Sequence, residues 1–114
     1  MQRQPMFSAA VLVFVLVACG PSVPSTEDGA TLFEYSCARC HGMNGRGEPA
    51  MKAQLGVPDM TDPAWQLKFT DEELVRAVRL GSRGGKMPPF GVDTFSPKQL
   101  DAIVSYVRRW RPPR

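Results

Sequence analysis

Apolar side chains recur at helical spacing in three stretches of this chain, and no convincing alternation of strand period appears. The first stretch runs from about Gly29 to Arg39, after the polar run Ser25-Thr26-Glu27-Asp28. Ala30, Phe33 and Cys37 share one of its faces. The second opens at Thr70, where Glu73 completes a Thr-x-x-Glu capping box. Leu74, Val75 and Val78 line its stripe, which stops at Gly81. The third has Ser96 as cap, Pro97 in the first helical position and Gln99 three residues beyond the cap, with Phe95 and Leu100 placed for a hydrophobic staple. Leu100, Ile103, Val104 and Val107 make its buried stripe, and Pro112 and Pro113 end it. The pattern predicts an all-α domain of about three main helices.

Between His41 and Thr70 the periodicity lapses into a segment holding Gly42, Gly45, Gly47, Pro49, Gly56, Pro58 and Pro63, with one helical turn expected around Ala50 to Leu55. A structureless loop of that length in a compact domain needs something to organise it. At 114 residues there is room for one domain. A core that small gains from any apolar group the loops can wrap.

Cys37-Ala38-Arg39-Cys40-His41 names such a group. Two thiols three residues apart lie on the same face of a helical turn, so both can reach the vinyl groups on one edge of a porphyrin. The following imidazole can then swing under the ring to bind iron. Cys37 and Cys40 are therefore the expected thioether links to a covalent haem c, and His41 the proximal ligand. The competing uses of Cys-x-x-Cys fit less well. Zinc wants four closed ligands and no second cluster supplies the fourth, while a thioredoxin-type pair belongs in an alternating strand and helix pattern.

His41 is the only histidine, so the sixth position of the iron must be filled from elsewhere. Met87, in the Gly- and Pro-rich loop Lys86-Met87-Pro88-Pro89-Phe90, offers a thioether suited to ferrous iron. Met43, Met51 and Met60 compete on paper. Met43 sits too near the proximal side to cross the ring, and Met51 and Met60 are expected to pack as core.

The amino terminus reads separately. Met6 to Ala18 is almost wholly apolar but shorter than the about 20 residues a spanning helix needs, so it reads as the core of a secretory signal. Leu16-Val17-Ala18-Cys19 resembles the lipobox of bacterial lipoproteins, which implies cleavage before Cys19 and acylation of that residue. Cysteine arithmetic agrees, because haem uses two of the three cysteines and lipidation the third. The expected organisation is a lipoprotein signal peptide over 1–18, a lipid-anchored tether over 19–28 and the haem domain over 29–114. Gly20 to Thr26 spans at most roughly 25 Å, which keeps the domain near the membrane surface.

The formal charge of +3 does not support nucleic-acid binding. Removing the signal deletes Arg3, and two haem propionates bring the remainder to about neutral. What remains is local: Asp71, Glu72 and Glu73 at one helix start, and Arg108, Arg109, Arg111 and Arg114 at the carboxyl end. The acidic group complements a helix dipole. The basic group is read either as a solvated tail or as a contact for a partner or anionic lipid.

From Gly29 to Trp110 the chain resembles the class I c-type cytochromes, in particular small bacterial cytochromes related to the c-type subunits of cbb-type oxidases. Gly29 and Phe33 match the glycine and aromatic of that family's first helix, and Ile103 and Tyr106 the pair that crosses them on its last. Pro58 matches a proximal segment whose carbonyl can orient the histidine ring. Trp65 is expected at the haem edge, either as indole donor to a propionate or as packing. The resemblance implies a cytochrome c fold wrapped around one covalent haem, and outer-sphere transfer of one electron between a redox donor and acceptor. The chain itself would be an electron carrier rather than an enzyme, facing the periplasm from a membrane anchor, as a shuttle or as a subunit of a respiratory or dehydrogenase complex. The competing function is a haem enzyme or gas-binding sensor with an open sixth site. The absence of a spare imidazole as acid or base argues against the enzyme.

Overall fold

The computed structural model describes Val13 and residues 22–114. Cys19 and, apart from Val13, the expected signal segment lie outside the described residues. Among those described there are helices and turns and no strand. None of the helices is long and apolar enough to cross a membrane.

Helix α1 spans Gly29–Ser36 and starts where Asp28 accepts hydrogen bonds from the Thr31 amide and hydroxyl (2.9 and 2.6 Å). The pattern predicted one helix through Arg39. The chain instead breaks at Cys37 (φ −117°) and resumes as α2, Ala38–His41. The loop after His41 is also more ordered than expected. It holds α3 (Pro49–Leu55), close to the foreseen turn, and α4 (Pro63–Lys68), which was not foreseen. Asp62 caps α4 through Ala64 N–H (3.0 Å) and Pro63 opens it, a start signal of the same kind that marked the third helix. Helices α5 (Asp71–Leu80) and α6 (Pro97–Arg108) begin at Thr70 and Ser96, and both capping boxes form.

The core lies where α1 and α5 pack on α6. Gly29 meets α6 so closely that a Cβ there would overlap the carbonyl of Ala102 and approach Cβ of Tyr106 to 3.1 Å, which is why no side chain is tolerated. Phe33 follows one turn later against the Tyr106 ring, with centroids 5.2 Å apart. Of the pair expected at this crossing, Tyr106 is in place. Ile103 packs beside it in the adjoining cluster of Leu32, Leu74, Phe95, Leu100 and Val104, while Phe33 groups with Met60 and Val107. Leu32, Phe33, Phe95 and Leu100 are shut off from solvent, and each contributes about 1.5–3 kcal/mol.

The segment before α1 is not loose. Val23 packs on the larger cluster, and Gln99 Nε2 donates to the carbonyls of Pro24 (3.2 Å) and Thr26 (2.9 Å). Part of the stretch expected as tether is thus held to the first turn of α6.

Candidate functional site

A cavity of about 930 Å³ opens between α1, α2, α5, α6 and the loops around them. This is at the upper end of the roughly 300–1,000 Å³ of small-molecule and cofactor sites. Cys37, Cys40, His41, Pro58, Trp65 and Met87 all line it, so residues far apart in sequence are brought to one place.

The break at Cys37 sets the thiols and the imidazole. Cys37 N–H bonds back to Phe33 O (2.8 Å), and His41 N–H to Cys37 O (2.9 Å), so the short helix α2 presents Cys37, Cys40 and His41 in sequence. Both cysteines are free thiols. Burial, with Cys40 adding a smaller repulsion, pushes the Cys37 thiol up to about 12, so it forms a neutral, apolar part of the wall. Burial also lowers the pKa of His41, which favours the neutral imidazole that a metal requires. His41 Nδ1 is buried with no hydrogen-bond partner among the described residues. The carbonyl bond expected from Pro58 is therefore not made here, although Pro58 lines the cavity.

The loop after His41 folds back beneath it. Gly47 N–H donates to His41 O (2.8 Å), Glu48 N–H to Cys40 O (2.9 Å) and Met60 N–H to Gly45 O (2.8 Å). Met60, expected as core, is buried against Phe33 and Val107. Met51, also expected as core, is instead half-buried and lines the cavity, and Met43 is exposed. Trp65 lines the cavity and stands edge-on to Phe69, with centroids 5.5 Å apart. Its contacts are with the core clusters, as packing requires.

Met87 reaches the cavity from a loop fastened to the end of α5. Its N–H donates to Ser82 Oγ (2.8 Å) and its carbonyl accepts from Ser82 N–H (3.0 Å). Gly81, at φ 71°, passes so close that a Cβ there would lie 2.5 Å from the Met87 carbonyl. Phe90 N–H bonds to Val78 O (2.9 Å), and Arg79 Nη1 donates to the carbonyls of Phe90 (3.3 Å) and Phe95 (2.7 Å). Ser82 and Arg79 were not singled out from the sequence, where neither carries a motif. Only contact with the loop shows their use.

Among the described residues no three His, Cys, Asp or Glu side chains gather as a metal-holding group, so the donors present do not build a zinc site. They do fit a haem: a large apolar cavity lined by two thiols, an imidazole with an unpaired buried nitrogen, and a thioether. Fold and site together define a c-type cytochrome domain.

The chain belongs to the family of cytochrome c oxidase, cbb3-type, subunit III, whose model matches residues 24–107. It is 36% identical over 84 residues to the cbb3-type cytochrome c oxidase subunit FixP of Azorhizobium caulinodans, covering 74% of this chain and 27% of that protein. It is 32% identical over 79 residues to subunit CcoP of Rubrivivax gelatinosus, covering 69% and 24%. The chain thus spans about a quarter of the length of these curated relatives. The solved c-type cytochrome KustC0563 superposes with a TM-score of 0.67 at 29% identity, covering 75% of this chain and 99% of that one. The cofactor of this family is covalently bound haem c.

Proposed function

We propose that this chain is a one-electron carrier in which Cys37 and Cys40 hold haem c, His41 and Met87 ligate its iron, and acylated Cys19 ties the domain to the periplasm-facing membrane surface. The haem supplies the chemistry, a reversible Fe(III)/Fe(II) change without bond making to a substrate. The chain's own part is to bind, orient and dry that group. The convergence of His41 and Met87 on one cavity carries the reading, since an imidazole and a thioether there would together hold the iron of a bound haem and leave no open position for a substrate.

Cys37 and Cys40 fix one edge, and α2 fixes the imidazole between them and the loop beneath. Ser82 and Arg79 hold the Met87 loop against α5. Phe33, Leu74, Ile103 and Val104 exclude water from the back of the cavity. Its donor and acceptor are redox proteins at the membrane, and the names of its relatives favour a respiratory oxidase complex.

A haem stain after denaturing electrophoresis tests the thioethers. Absorption spectra of both redox states, with and without carbon monoxide, test the ligands. Covalent haem, a methionine-to-iron charge-transfer band and slow carbon monoxide binding are expected. Rapid binding at neutral pH would instead indicate a gas-binding site. Mass spectrometry of the mature amino terminus reads the anchor: a peptide beginning at Cys19 and acylated on both its thiol and its amino group is expected, and an unmodified Cys19 would remove the tether.

A further inference from the structure

Gln66 on α4 is fully buried, the one polar side chain so enclosed among the described residues. All of its amide is engaged. Nε2 donates to the carbonyls of Met60 (2.7 Å) and Val107 (3.1 Å), and Oε1 accepts from Arg108 Nη1 (3.1 Å). Arg108 is only 12% exposed, unlike the solvated tail or docking residue that the sequence implied. Its Nη1 donates to Gln66 O (2.7 Å), its Nη2 to Phe69 O, and its Nε to Asp71 (2.6 Å). The carbonyls of Met60, Gln66 and Phe69 are therefore all gripped by this pair.

Two of those carbonyls belong to residues of one wall of the cavity, and Gln66 directly follows Trp65 of that wall in sequence. Met60, Trp65 and Phe69 line it, and Met60 N–H bonds to Gly45 in the loop directly after His41, which places this wall on the histidine side. An apolar side chain at position 66 would fill the interior without needing partners, but it would leave the Met60 carbonyl unpaired and the Val107 carbonyl with only its bond from Trp110 N–H (3.3 Å). The ion pair with Asp71 does not explain the arrangement, because that carboxylate is 64% exposed and such pairs contribute little. The planar fork reaching three backbone or amide oxygens does, and a lysine cannot reproduce it.

We propose that Gln66 and Arg108 are positioning residues that hold the His41-side wall closed against water and thereby raise the reduction potential of the bound haem. The proposal rests on the electron-carrier reading above. Burial of the cofactor is one of the levers on its potential, because water favours the more highly charged oxidised state.

The test compares Arg108→Lys and Gln66→Leu with Asp71→Asn in the haem-loaded full chain, reading midpoint potential, hyperfine-shifted proton resonances of the ferric form and melting temperature. Arg108→Lys keeps the charge, so its effect reports geometry. Both clamp variants are expected to shift the potential negative and move the resonances, while Asp71→Asn moves neither. A lowered melting temperature with unmoved potential and resonances would overturn the proposal and leave a plain structural role. Should a variant fail to load haem, hydrogen exchange in the wild-type holoprotein decides: the amides of Met60 and Gln66 should exchange as slowly as those of α6. Exchange as fast as in residues 82–87 overturns the clamp. A wild-type chain without a reversible one-electron couple would remove the carrier reading itself. A normal couple with unmoved variants removes the clamp alone.

Discussion

The two sides of the cavity are held by different means. The His41 side is tied to α6 by Gln66 and Arg108, through bonds joining residues 41 and 42 apart in sequence and shielded from solvent. The Met87 side is tied from nearer in sequence: by Ser82, five residues from Met87, in a bond exposed to water, and by Arg79, whose part-buried bonds reach carbonyls 11 and 16 residues away. Water competes for the exposed Ser82 bond more than for the buried bond of Gln66, so equal counts of hydrogen bonds would not mean equal rigidity. The contrast places the imidazole in the firm half of the site and the thioether in the yielding half. Under the proposed ligation the methionine is the ligand expected to leave, which would give the open sixth site of the competing function.

Exchanging each side's methionine in turn sharpens this contrast most. Met60→Ala opens a hole against Phe33 and Val107, so about 2–5 kcal/mol of stability should be lost in urea titration while the methionine-to-iron band persists. Met87→Ala should do the reverse, abolishing the band and admitting carbon monoxide to the ferrous protein in an otherwise folded domain. A Met60→Ala protein that loses the band would break the assignment of Met87.

A smaller effect is expected at Ser82→Ala, which removes one exposed hydrogen bond worth about 0.5–1.5 kcal/mol and should raise carbon monoxide affinity roughly two- to tenfold. No change in affinity would mean that the Ser82 backbone N–H and Arg79 suffice to hold the Met87 loop. The smallest effect concerns pH. Asp59, beside Met60, accepts from the Thr61 hydroxyl (2.6 Å) and amide (2.8 Å), and the hydroxyl bond foremost holds its pKa below the ordinary 3.8. Its contribution is present above the unfolded value and fades as pH falls through the lower folded one. The urea midpoint should therefore decline slightly more below about pH 4 in the wild type than in Asp59→Asn, and parallel pH profiles would count against it.

Much of this was legible because the signals were local. Thr70 with Glu73 and Ser96 with Gln99 announce their helices, since a cap satisfies backbone donors three residues away. Cys37, Cys40 and His41 fall within five positions, where one turn of backbone decides their relation. Helix α4 shows a signal passed over: Asp62-Pro63 is as good a start as Ser96-Pro97, but the following run is short and its one buried residue is a glutamine. Gln66 and Arg108 mark the limit. A polar side chain in a small helix and one arginine in a basic cluster both read as surface, and neither the burial of the one nor the carbonyl partners of the other leaves a local trace.

By itself, the sequence determined the capped helices α5 and α6 and the clustering of two thiols and an imidazole on one turn of chain, because these rest on bonds and periodicities within a few residues. Only the tertiary structure decided that Met60 is buried in the core while Met51 and Met87 line the cavity half-buried, that Arg108 turns inward, and that residues before α1 are fastened by Gln99. Each depends on backbone atoms arriving from distant parts of the chain. Side-chain chemistry offers a donor or an acceptor, and the fold alone chooses its partner.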